Sequence, residues 1–285
     1  MALENIIGID HAVIVVKDLD QAAANWKRLG FTVSPRGTHS ALLGSGNYTI
    51  MFGDDYIELL GILVETEHNA PSRAFLAERG EGIERIAFTA TDAAAGAKEV
   101  RELGWAAIGP IDFGRPVTLP NGGQSEAKFS IFQWPVTEAP AGLRIFACQH
   151  RTRDAVWIPE LQNHANTVTR LKRVLIVSPN PVSDARHLWR LIDGELDGQP
   201  DGSVIVPSGS DRAEFVFMTR ELLGQQYPGV SLDGLPERGG AGLVLGVSDP
   251  AAAAQAVGAV GVRVGNGVAV PPAAGNGVLL AFVAD

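Results

Sequence analysis

The chain has 285 residues, enough for two domains or one large one, and its 46% hydrophobic and 19% charged residues fit a globular protein rather than a disordered one. A net charge of -9 and a pI near 5.2 oppose phosphate backbones, so no nucleic-acid partner is expected. The lone Cys148 excludes an intrachain disulfide, no run reaches the roughly 18–20 apolar residues of a membrane span, and MALENIIGIDH lacks a secretory pattern; a cytoplasmic location with no membrane partner is expected.

In chain order, the first element is the β-branched run IDHAVIVV (9–16), read as a strand, followed by Asp18 as the N-cap of a helix that Gly30 stops. Shorter apolar runs at Phe31–Ser34, Tyr48–Phe52 and Tyr56–Ile62 read as three further strands. The pattern then restarts: IERIAFTATDAAAGAKEVRELGW (83–105) lies over residues 9–31 without a gap, with Asp92 over Asp18 and Gly104 over Gly30. Strands Phe129–Trp134 and Leu143–Cys148 follow. A third copy begins at Leu171, with Asn180 as cap, Pro181 at the first helical position and Gly194 as stop, and continues through Gly202–Pro207 and Ala213–Met218. The fourth runs from Gly240 through Asp249, Pro250 and Gly261 to a strand at Val278–Val283. Each copy is a βαβββ unit, so two units per domain give an α+β protein with domains at 1–155 and 168–285 and an ordered connector at 150–167.

Paired βαβββ units whose first strand carries I-D-H and whose fourth carries Y-I-E-L, with a G-T-H loop between them and an H-A-N connector, resemble the vicinal oxygen chelate superfamily of glyoxalase I, bleomycin-resistance proteins and extradiol dioxygenases. Within it the chain resembles the glyoxalase-like domain group from residue 7 to about 180. The resemblance implies two half-open β-barrel domains and a divalent ion (Zn, Ni, Fe, Mn or Co) in a cleft, held from the first and fourth strands of two modules. His11 and Glu58 match those positions in the first module, with the third ligand expected from Gln149 or His150; Arg85 stands where the second module's histidine would be, and a guanidinium ligates no metal.

The expected function is a metal-dependent lyase, isomerase or dioxygenase acting on a small oxygenated substrate, with Glu58 also moving a proton. His39, Asn47, Arg85 and His164 are the expected substrate contacts. The alternative is a metal-free binding protein that anchors an anion on Arg85. The second half, with Arg173 and Gly242 at the His11 positions, is expected to be structural. Cys148 reads as a core residue, His68 and His187 as surface residues, and the chain as a monomer or homodimer.

Overall fold

A computed structural model describes residues 3–119 and 122–285. The first module comprises β1 (Ile6–Val16), α1 (Leu19–Arg28), β2 (Gly37–Thr38), β3 (Ser45–Met51) and β4 (Tyr56–Ile62), and a helix α2 (Ala70–Arg79) leads to the second. That module comprises β5 (Gly82–Ala90), α3 (Ala93–Glu102), β6 (Ile108–Thr118), β7 (Gln124–Gln133) and β8 (Arg144–His150). The third and fourth follow as β9 (Val168–Val177), α4 (Pro181–Ile192), β10 (Asp197–Gly198), β11 (Val204–Pro207), β12 (Glu214–Met218), α5 (Arg220–Gln226), β13 (Gly239–Val247), α6 (Pro250–Val257), β14 (Val262–Val264), β15 (Gly267–Val270) and β16 (Leu279–Ala284). The chain is thus a mixed α+β protein of two eight-stranded sheets, ordered β2-β3-β4-β1-β5-β8-β7-β6 and β10-β11-β12-β9-β13-β16-β15-β14. Each sheet joins two modules through its antiparallel central pair, β1 with β5 and β9 with β13. Among the described residues no helix is long and apolar enough to cross a membrane.

Local chemistry sets the helix ends. Asp18, Asp92 and Asp249 each accept from free amides of the first turn, at 2.8–3.0 Å. Asn180 does not; its own amide donates to Ser178 Oγ, and Pro181 makes a side-chain cap less necessary by removing one donor. Gly30 and Gly104 take the expected left-handed conformation, but α4 is stopped by left-handed Asp193 and α6 by Gly258, ahead of the glycines expected at 194 and 261. Residues 31–34 are not a strand, and the paired segment begins at Gly37. β6 was not expected because Gly109, Pro110, Gly114 and Pro116 interrupt it, which an edge strand tolerates.

Alternation divides each strand between two environments. One face of both sheets, with α1, α3, α4 and α6, joins a single apolar core spanning both halves of the chain, where Phe31 meets Phe282 and Phe88 meets Phe215. Trp26, fully buried, donates from Nε1 to Asn276 across that core. Asp55, in the β3–β4 turn, adds a polar tie by accepting from the Leu171 amide of β9 at 2.9 Å. The opposite face of the second sheet is packed by Leu223, Val230 and Leu235 from α5 and the segment after it. The opposite face of the first sheet carries the polar residues.

Candidate active site in the first sheet

Of the three register shifts in the β1–β5 pair, two are related in a symmetric way. Ile9 pairs with Phe88 and His11 with Ala87, leaving Asp10 as an extra residue; Val13 pairs with Arg85 and Ile14 with Ile83, leaving Glu84 as its counterpart. Such bulges re-aim side chains that strict alternation would send to opposite faces. Asp10 therefore joins His11 on the cleft side, and Glu84 joins Arg85. The same register in β9 and β13 leaves Lys172 and Ala241 unpaired, so only the first sheet puts carboxylates there.

Asp10 is wholly buried and gathers three donors. His11 Nδ1 lies 2.6 Å and His150 Nε2 2.9 Å from its Oδ1, and Thr89 Oγ1 donates to Oδ2 at 2.8 Å. Burial alone would raise its pKa, but the charge and hydrogen bonds of His150 and His11 hold it well below the usual carboxylate range. An ionised carboxylate only accepts, so both nitrogens facing it carry protons. That leaves His11 Nε2 facing the cleft, 3.5 Å from the Tyr56 hydroxyl and 3.7 Å from Glu58 Oε2, while Tyr56 stacks on the imidazole. His150 Nδ1 is buried and among the described residues has no hydrogen-bond partner; the same holds for Nε1 of Trp157, whose ring meets His150 edge-on.

Glu58 faces His11 from β4. Asn47 Nδ2 donates to its Oε1 at 2.6 Å, and His39 Nε2 lies 3.9 Å from the same oxygen with its Nδ1 2.8 Å from Ser45 Oγ. Burial pushes the Glu58 pKa up, but His11, His39, the Asn47 hydrogen bond and Arg85 outweigh it, so the carboxyl is held below its ordinary value. His39 is likewise lowered, by burial first and by Arg115 and Arg85, against the pull of Glu58.

In the second module Glu84 is a buried carboxylate shared by two arginines, accepting from Arg85 Nε at 2.9 Å and from Arg144 Nη1 at 2.7 Å, with Ser72 Oγ completing the group. The register places Phe146, opposite Ala87, as the counterpart of Glu58, which is opposite Val13.

Of the expected site residues, His11, His39, Asn47 and Glu58 converge, and Arg85 lies close enough to lower Glu58 and His39. His150 reaches Asp10 rather than Glu58. Gln149 does not reach the group, because alternation along β8 turns it to the helix side, where it accepts from the Ala93 amide and donates to the Thr91 carbonyl. Half-buried His164 packs between Phe31 and Phe52, accepting from the Thr32 amide through Nδ1 and donating to the Met51 carbonyl through Nε2. Asp10 and Arg115 were not expected. The signal for Asp10 was a carboxylate beside His11 inside an apolar strand; Arg115 lay in the unread β6.

The model of the glyoxalase-like domain family matches residues 9–192, most of the chain. The chain belongs to the glyoxalase-like domain family. It is thereby a member of the vicinal oxygen chelate superfamily, and solved structures share this glyoxalase-like architecture along most of its length. A hypothetical protein from Staphylococcus aureus is 12% identical with a TM-score of 0.69, covering 97% of this chain and 99% of that one. A variant of 4-hydroxymandelate synthase from Streptomyces coelicolor is 13% identical with a TM-score of 0.58, covering 92% and 78%. A xylose isomerase-like TIM barrel/4-hydroxyphenylpyruvate dioxygenase fusion protein is 17% identical with a TM-score of 0.56, covering 88% of this chain and 38% of that one. At such identities the likeness is one of fold. No curated protein matches in sequence.

The superfamily implies a divalent ion, and the donors bear on whether it fits. Among the described residues, Asp10, His11 and His150 form the one group of three such side chains whose ligand atoms lie within 4.8 Å of one another. Its short contacts are hydrogen bonds, and a carboxylate on one imidazole nitrogen is the usual support of a histidine that ligates through the other. The 3.7 Å between His11 Nε2 and Glu58 Oε2 is too long for a hydrogen bond. It suits two donors sharing an ion at roughly 2.0–2.2 Å from each. Neither Arg85 nor Phe146 adds a ligand, so these donors fit an ion with open coordination positions.

Proposed function

We propose that this cleft is the active site of a metal-assisted lyase or isomerase acting on a small oxygenated metabolite. The supporting observation is Glu58: a buried carboxylate held ionised, fixed by Asn47 on one oxygen and facing His11 Nε2 across a non-bonded gap with the other. His11 and Glu58 would hold the ion, which when bound polarises the substrate's oxygens. Asp10 holds the His11 ring and its protonation pattern, Asn47 orients Glu58, and Glu58 would accept and return a proton at Oε2 when that oxygen is off the ion. His39 lines the opposite side of that carboxylate, and Tyr56 and Trp157 exclude water from the Asp10 group.

Metal analysis of untagged protein tests this directly. Near-stoichiometric divalent metal that His11→Ala abolishes is expected; protein that binds no added divalent ion, and whose stability ignores chelator, refutes the reading. The metal-free binding alternative draws on Arg85 and Phe146 at two ligand positions of the fold. It requires Arg85→Ala to abolish anion binding, although Arg85 is already engaged by Glu84 and Ser72.

A further inference from the structure

Beside this site, between β2, β3, β6 and the connector, lies a cavity of about 220 Å³. Pro35, Val117, Val156, Ile158 and Leu161 give it an apolar wall, and Arg115 enters it from β6. Arg36 also reaches the wall but is tied to Asp20 at 3.0 Å. The Arg115 guanidinium has no carboxylate and no hydrogen-bond acceptor among the described residues, although the side chain is partly buried. A half-desolvated cation without a partner is costly unless something supplies the anion.

The cavity borders the reacting end of the cleft. Thr49, on its wall, is the register partner of Glu58. Gly37 sits where any Cβ would fall 2.2 Å from Asn47 Oδ1 and 3.1 Å from Arg115 Nη1, so the missing side chain lets Arg115 approach the residue that holds Glu58. We infer that Arg115 is the substrate anchor, and that the substrate is a small organic carboxylate whose acid group meets Arg115 while its apolar body fills the cavity. This rests on the proposed function in placing the other end of that acid at Glu58. One guanidinium matches one monoanionic carboxylate in bidentate geometry, whereas a phosphate dianion would keep excess charge beside Glu58. The volume, below the roughly 300–1,000 Å³ of ordinary ligand pockets, suits a compact acid.

The probe is phenylacetate, titrated into the full chain by NMR and calorimetry beside phenylacetamide and inorganic phosphate. Phenylacetate should bind, with the amide and Arg115→Met each weakening it by about tenfold or more, the loss of a charged hydrogen-bonded pair. Arg115→Lys should fall between. Leu161→Phe, which fills the cavity and leaves Arg115 in place, should weaken binding as well and serves if Arg115→Met fails to fold. The same titrations run on chelator-treated protein should give phenylacetate binding that still depends on Arg115, so failure of the metal reading leaves this result intact. No phenylacetate binding by the folded parent, equal binding of acid and amide, or Arg115→Met and Leu161→Phe both without effect would overturn the anchor; phosphate binding in preference to phenylacetate would overturn the carboxylate assignment.

Discussion

Asp55→Asn should make the protein more stable at neutral pH, and by an amount that depends on pH in a defined way. Asp55 is buried in the β3–β4 turn and accepts from Leu171. Burial pushes its carboxyl from 3.8 up to about 7, against the Leu171 hydrogen bond and the charges of Arg212 and Arg170. A carboxyl whose folded value is raised binds its proton more tightly in the folded state, so its contribution is fully present below pH 3.8 and is lost as pH climbs to about 7. Three units at 1.36 kcal/mol each give a loss of about 4 kcal/mol at pH 8, and about 2 kcal/mol near pH 5.5. Asparagine keeps an acceptor for the Leu171 amide and cannot ionise, so it mimics the protonated acid at every pH. Urea denaturation of both proteins from pH 3.5 to 8 measures the difference directly. The two should be similar at pH 3.5 and diverge steadily, with Asp55→Asn the more stable; a difference constant across the range would refute the raised carboxyl, and a parent more stable at pH 8 would mean that Arg212 and Arg170 outweigh burial.

Asp10→Asn should cost about 2–3 kcal/mol, because it removes the negative charge on which both imidazoles converge and sets an NH₂ where Oδ2 accepts from Thr89; it should also weaken metal binding by roughly 10–100-fold in a competition titration. Gln149→Ala should cost about 1 kcal/mol through the N-terminus of α3 and leave metal content unchanged, which separates it from His11→Ala. Trp157→Phe should change stability by less than about 1 kcal/mol in denaturant melts, since the indole Nε1 it removes has no partner, offset by a weaker contact with Arg153, whose guanidinium lies 3.6 Å from the Trp157 ring.

The fold was legible because the repeat carries its own punctuation: acidic caps and apolar runs recur at matching offsets, and four such units have few ways to pack. The convergence of His11 with Glu58 was legible for the same reason. What alternation concealed was the bulge. Reading IDHAVIVV as a regular strand sends Asp10 and His11 to opposite faces, which would bury one of them in the apolar core at a cost of several kcal/mol. That cost was itself the clue, since a strand carrying both must break its alternation to keep both on the polar face. The same step applies to Glu84 and Arg85, and it fixes what the last strand must bring. A carboxylate buried at the bulge needs donors from β8, and that strand supplies His150 for Asp10 at one end and Arg144 for Glu84 at the other. The choice of partner then separates the two ends chemically. Imidazoles around Asp10 leave a nitrogen able to face a metal or a proton, whereas guanidiniums around Glu84 can only donate, so the first module's end of the cleft is the one equipped for chemistry.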